Sequence, residues 1–222
     1  MRISPLNTNQ KTYTFAFSFN DSFARYFSVT LQSLIDHKED GCVYDIVVLH
    51  GDVSNETMNM LQSMISDQVV LRFYNVADYI NEVFGDLAAK VSSNQWDVST
   101  FYDLLVPIIM PEYERVLYCD SDIVFCENPA ELFSISFEGN PLAAAKDTLS
   151  LGTKVFQNGA FIKKQTEFVT TNIGLEHLEN YFNAGVLLFN IPAIDCKSYI
   201  ERVRYALSFP MLPTVDQDVL NY

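Results

Sequence analysis

Apolar and polar positions along the chain alternate between two periods. Tyr13–Ser18 is a short β-rich run behind a polar lead-in, and Val43–His50 and Val69–Tyr74 repeat that character. Between the first two, Phe23, Tyr26, Phe27, Leu31, Leu34 and Ile35 recur at helical spacing and stop near Asp36. Between the second pair, Ser54 is placed to cap a helix whose apolar face is Met58, Leu61, Met64 and Ile65. Three strands joined by helices predict a mostly parallel sheet with right-handed crossovers.

The pattern continues less regularly. Residues 78–87 and 99–110 read as helices, the second interrupted at Pro107. Arg115–Cys119 is a strand that runs into Asp120-Ser121-Asp122, and a second apolar run, Ile123–Phe125, follows. Those runs are expected to bury both flanks of the acids. Asn128-Pro129-Ala130-Glu131 combines a cap, a proline at the first helical position and an acid in the first turn, which predicts a short helix. Leu142–Lys146 reads as a strand ending at Asp147, Tyr181–Asn190 as another, and Tyr199–Leu207 as a helix. The stretch from Thr148 to about Asn180 has no firm period and is expected to be loop. No repeat or low-complexity linker divides the chain, so a single domain over residues 1–222 is expected. Asp216–Tyr222 begins like a helix and ends after about two turns, which suggests a truncated C-terminus.

Composition narrows the class. The 222 residues carry 14 Lys+Arg against 28 Asp+Glu, a formal charge of −14, with 49% hydrophobic residues and 19% charged ones. Such a chain folds, and it lacks the clustered cations that neutralise nucleic-acid phosphates, so nucleic acid is excluded as a partner. The N-terminus has no signal-peptide core, and no apolar run approaches the roughly 18 residues of a membrane span. Cys42, Cys119, Cys126 and Cys196 show no paired spacing and read as reduced core thiols, consistent with the cytoplasm.

In a parallel α/β sheet ligands gather beyond the carboxyl ends of strands. The residues there are Asn20-Asp21-Ser22, Asp120-Ser121-Asp122, Asp147 and Asn183. Acids two apart in extended backbone point the same way, so Asp120 and Asp122 suit one hard cation. None of the eight glycines forms G-x-G and there is no phosphate-cradling loop, so a bound diphosphate would need that cation. No nucleophile elbow and no histidine spacing for zinc is present.

Three segments together, Val116–Val124 (VLYCDSDIV), Tyr181–Asn190 (YFNAGVLLFN) and Asp216–Asn221 (DQDVLN), resemble glycosyltransferase family 8 in the right order and across nearly the whole chain. The family comprises retaining sugar-nucleotide-dependent transferases, bacterial lipopolysaccharide galactosyltransferases among them. The resemblance implies a GT-A fold and transfer of a hexose from a UDP-sugar to a saccharide acceptor. It implies that Asp120 and Asp122 hold Mn²⁺ or Mg²⁺, with Ser121 beside the donor. It places Asn20, Asp21 and Ser22 at the nucleoside, and Asp147, Asn183, Ala184 and Asp216 around the donor sugar. Gln217 falls near the anomeric carbon, with its carbonyl facing the positive charge that develops there. Because Gln217 is not a carboxylate, attack from the face that UDP leaves is expected rather than double displacement.

Three departures from the family pattern carry consequences. Asn20 stands where the family has Asp. Phe101-Tyr-Asp-Leu104 puts Asp103 where an arginine usually faces the donor, which is expected to repel a diphosphate. The family's third metal ligand, a histidine downstream of Asp-Gln-Asp, has no counterpart before Tyr222. The alternative to an enzyme is therefore a silent relative that binds nucleotide-sugar or glycan, or serves as a partner subunit. Peripheral attachment to the inner face of the membrane would need a C-terminal tail beyond Tyr222.

Overall fold

The computed structural model describes residues 1–86, 97–147, 167–210 and 212–222. Its centre is a six-stranded sheet built from β1 (Thr12–Ser18), β2 (Val43–His50), β3 (Val69–Asn75), β4 (Arg115–Cys119), β5 (Leu142–Lys146) and β6 (Phe182–Asn190). The strand order is β3-β2-β1-β4-β6-β5. β1 pairs parallel with β2 and β4, and β2 parallel with β3. β6 alone is reversed, antiparallel to both β4 and β5. The mixed α/β class read from the sequence holds.

Period-two alternation fills both faces of this sheet. Phe15, Phe17, Tyr44, Ile46, Val48, Leu117 and Cys119 point into one core, which α1 (Ala24–Asp36) covers with Phe27, Leu31 and Leu34. Ala16, Val47, Leu49, Val116, Tyr118 and Leu187 point into the other. That second core is closed by α3 (Ala77–Phe84), a 3₁₀ segment Val98–Leu105, α4 (Val106–Ile109), α5 (Cys196–Leu207) and α6 (Asp216–Asn221). On the first face α2 (Asn55–Gln62) joins β2 to β3, and the Ser54 hydroxyl accepts from Thr57 N at 3.2 Å, the expected cap.

Several local expectations change. The predicted helix 99–110 is instead 3₁₀ to Leu105 with one α turn after it. Pro107 supplies no N–H to an i−4 carbonyl, and the Asp97 carboxylate starts the tighter segment by accepting from Ser99 N at 2.8 Å. α3 stops at Phe84 because Gly85 takes φ 67°, and residue 87 lies outside the described residues. Ile123–Phe125 forms no strand: Phe125 is buried but Val124 is 59% exposed, so the second flank of the acids is open. Of the cysteines, Cys126 is exposed rather than a core thiol. Part of the unpatterned stretch, residues 148–166, lies outside the described residues. Its remainder contains a π-turn, Val169–Ile173, and a 3₁₀ turn, Leu178–Asn180. Among the described residues no helix is long and apolar enough to cross a membrane.

Candidate active site

The reversal of β6 positions the site. The carboxyl ends of β1, β4 and β5 lie at the same edge of the sheet as the amino end of β6, so Asn20, Asp120, Asp147 and Asn183 are brought to one edge from four places in the chain. A cleft of about 720 Å³ opens there. Asn20, Asp120, Ser121, Asp122, Asn183, Ala184, Asp216 and Gln217 line it, eight of the residues singled out from the sequence. No basic side chain lines it among the described residues, whereas four carboxylates do: Asp97, Asp120, Asp122 and Asp216.

Asp120 follows β4 directly, and its N–H donates to Gly185 O at 2.9 Å, continuing the β4–β6 ladder by one step. A methyl group on Gly185 would lie 2.8 Å from Asp120 Oδ2 and 3.0 Å from Asn183 Oδ1, so the glycine gives both side chains their room. Asp120 faces the water of the cleft, but the walls thin that water. Desolvation, and after it the charge of Asp122, pushes its carboxyl up to about 6. Two mutually repelling carboxylates on hard oxygen atoms, with no basic side chain beside them in the described lining, have the chemistry that suits a divalent metal. Among the described residues no group of three or more His, Cys, Asp or Glu is assembled for a metal, so the protein itself offers the pair.

The floor of the cleft is a lattice of amides. The Gln217 carbonyl accepts from Ala184 N at 3.0 Å and from Asn183 Nδ2 at 3.2 Å, while its amide donates to Asp147 Oδ2 at 3.2 Å. Asn183 Oδ1 in turn accepts from Gly185 N at 2.8 Å. Gln217 thus ties α6, β6 and the end of β5 together, and both of its acceptor positions are engaged within the fold. Asp147 is buried and belongs to this lattice without lining the cleft.

The repeated Asp-x-Asp behaves differently in a helix, where residues two apart diverge by about 200°. Asp216 lines the cleft, and burial followed by the charge of Asp120 pushes it up to about 8. Asp218 points inward, wholly buried, and accepts from Tyr181 OH at 2.6 Å and Thr214 N at 2.7 Å. The helix is entered through Val215 at φ 50°, a conformation costly for a β-branched residue, so local strain sits at the cleft wall.

Asp21 and Ser22 lie outside the cleft. The Asp21 carboxylate accepts from Ser54 N at 2.8 Å, which lowers its pKa, and Ser22 Oγ donates to Asn20 Oδ1 at 2.7 Å. Asp103 is wholly buried and absent from the lining, and among the described residues neither of its carboxylate oxygens has a well-aligned hydrogen-bond partner. Desolvation, then the charge of Asp216, raises it well above the carboxylate range. Burial favours the protonated form and sets Asp103 behind the cleft wall rather than in its lining. Asp97 escaped sequence reasoning; its only signal was a capping position ahead of Ser99.

Comparison with known proteins places this architecture. A family model described as "Glycosyl transferase family 8" matches residues 14–222. The lipopolysaccharide 1,3-galactosyltransferase of Salmonella typhimurium is 28% identical over 142 residues, 61% of this chain and 38% of that protein. A putative glycosyltransferase of Haemophilus influenzae is 27% identical over 214 residues, 95% of this chain and 59% of that protein. The chain therefore spans about two fifths to three fifths of these relatives. Among solved structures, the bifunctional glycosyltransferase WbbM superimposes with a TM-score of 0.79 at 24% identity, over 98% of this chain and 38% of that one. The galactosyltransferase LgtC, solved with donor and acceptor sugar analogues, does so at 0.65 and 21%, over 94% of this chain and 69% of that one. The fold is the GT-A fold, and with its motifs matched from β1 to α6 the chain belongs to glycosyltransferase family 8.

Proposed function

We propose that the protein is a metal-dependent, retaining hexosyltransferase that moves galactose or glucose from a UDP-sugar to a saccharide acceptor such as lipopolysaccharide. The single observation that carries this reading is the Asp120–Asp122 pair on the wall of a cleft that has no basic side chain in its described lining. A nucleoside diphosphate brings negative charge to a place already rich in it among the described residues, and a cation held by the acid pair would reconcile the two. Bound by Asp120 and Asp122, Mn²⁺ or Mg²⁺ supplies Lewis-acid neutralisation of the departing diphosphate.

The chain's own residues do the rest. Asn20, at the end of β1, and Ser121 face the nucleotide side of the cleft, while Asp21 and Ser22 act one layer behind by holding α2 and Asn20. Asn183 and Ala184 are held by Gln217 and Asp147 as a rigid floor under the sugar. Gln217 and Asp216 are the polar groups of α6 at the reacting end. The Gln217 carbonyl, held by Ala184 N and Asn183 Nδ2, positions the floor, and Asp216 is the group of α6 that faces the positive charge developing on the ring. With no second carboxylate needed as nucleophile, the acceptor attacks on the face that UDP leaves.

Calorimetric titration of UDP with and without excess Mn²⁺ tests the reading. Metal-dependent binding that disappears in Asp122→Ala is expected; binding indifferent to the metal sinks the assignment. The acidic lining and the buried Asp103 in place of an arginine favour one rival, a relative that binds without turning over. Metal-dependent UDP binding without hydrolysis or transfer of any UDP-hexose would establish that rival.

A further inference from the structure

Among the carboxylates that line the cleft, Asp97 belongs neither to the acid pair nor to the floor under the sugar. Its place follows from the order of the strands. β1 lies between β2 and β4, and β6 lies beyond β4. Asn20 follows β1, while Gly51 follows β2. The Tyr102 hydroxyl packs so close to Gly51 that a Cβ there would lie 2.6 Å from it. Desolvation, and after it the charge of Asp97, pushes that hydroxyl up to about 12, so Asp97 stands near the same end. A hydrogen bond with the Asn20 side chain ties Asp97 to the end of β1 as well. The cleft therefore runs from Asp97 and Asn20, past Asp120 and Asp122 after β4, to Asn183 and Gln217 at β6. A diphosphate on the acid pair, with its sugar over Asn183, sets its nucleoside beside Asp97.

The side chains at that end have fixed hydrogen-bonding roles. Asp97 Oδ1 accepts from Ser99 N at 2.8 Å, which anchors the carboxylate at the start of the 3₁₀ segment. Desolvation works to raise this carboxyl, but hydrogen bonds from Ser99 and from the Asn20 side chain outweigh it and bring the group below its ordinary value. Asn20 Oδ1 is engaged by Ser22 Oγ at 2.7 Å, so the amide nitrogen is the end that Asn20 turns to Asp97. An ionised carboxylate only accepts and an amide nitrogen only donates. Side by side, they complement a ligand edge that sets an N–H next to a carbonyl. The imide of uracil is such an edge, with N3–H between two carbonyls, and a charged acceptor makes that bond a strong one. Ribose hydroxyls both donate and accept, so they make no use of an ordered acceptor and donor.

We infer that Asp97 reads the base of the donor: its carboxylate accepts from uracil N3–H while the Asn20 amide donates to the neighbouring carbonyl. The inference rests on the cleft being the donor site for a UDP-sugar. Calorimetric titrations with excess Mn²⁺ compare UDP, UDP methylated at N3 and 2′-deoxy-UDP on the native chain and on Asp97→Ser. Serine keeps one oxygen to cap Ser99 and removes the carboxylate. The native chain is expected to bind the N3-methyl form about tenfold more weakly than UDP, and Asp97→Ser to bind the two alike. The cost of losing the 2′-hydroxyl is expected to be the same in both chains. Equal binding of UDP and its N3-methyl form by the native chain overturns the inference and leaves the donor site standing, and this arm decides even where the variant fails to fold. A methyl penalty undiminished in Asp97→Ser overturns it too. A 2′-deoxy penalty that disappears in Asp97→Ser overturns it in favour of the ribose. No binding of UDP by the native chain with Mn²⁺ removes the donor reading itself, and this inference with it.

Discussion

Two aspartates of this chain are equally buried and do opposite things. Asp45, inside β2, is wholly excluded from water yet fully paired: Arg72 Nε donates to Oδ1 at 2.9 Å and Arg72 Nη2 to Oδ2 at 2.6 Å, with Tyr113 OH close by. Burial raises its pKa, and the Arg72 hydrogen bonds and charge counter that rise. Asp103, behind the cleft, has no side-chain partner among the described residues and faces the charges of Asp216 and Asp120. The first acid is part of the framework that holds β2 and β3 to the N-terminal segment. The second is a charge the fold keeps by neutralising it. The end of the sheet with complete pairing is built for stability, and the end with raised carboxyls is where we propose that a cation binds.

The largest effect is expected at the paired acid. Arg72→Met leaves Asp45 buried without compensation and should cost about 3–5 kcal/mol in urea unfolding, most of it recovered in the double variant with Asp45→Leu. If Arg72→Met is harmless, the contrast between the two ends collapses. Next, Asp103→Leu should stabilise the chain by about 1–2 kcal/mol, since it removes an unpartnered polar group. A loss of stability there would mean that Asp103 has a partner in solution.

A smaller effect appears in the pH profile. Asp103, Asp216 and Asp120 all hold their protons to higher pH in the folded chain than in the unfolded one, where an Asp titrates near 3.9. Their contribution therefore favours folding at the acid end and is lost as pH rises from about 4 through about 6 for Asp120 and about 8 for Asp216. Thermal melts should fall across that window, less steeply in Asp103→Asn, and added Mn²⁺ should offset the fall. The mildest test for the fold is Gly185→Ala. Its methyl group would crowd Asp120 Oδ2 at 2.8 Å, so metal-dependent UDP affinity should drop about tenfold while stability changes by under about 1 kcal/mol.

The comparison also shows what patterning conveys. The apolar runs of β1, β2 and β4 announced strands, and their near-continuity fits a sheet covered on both faces, which requires apolar residues at successive positions. Ser54 and Asn128 announced their helical turns through side-chain oxygens that accept backbone N–H groups within three residues. Val124 was misread as buried for a corresponding reason: local hydrophobicity does not say whether another layer lies above it.

Local chemistry of this kind is what the sequence by itself determined: the strands, most of the helices, the adjacent acids Asp120 and Asp122, and three motifs whose order identifies the family. Contacts between distant segments were decided by the tertiary structure alone. The reversal of β6 sets Asn183 opposite the end of β4. The engagement of the Gln217 carbonyl depends on a strand 33 residues away in the chain. Asp21 turns from the cleft to Ser54, and Asp103 is buried behind the cleft rather than in its lining. Each of these depends on how much water and which charges surround a group, and those are properties of the packed chain rather than of neighbouring residues.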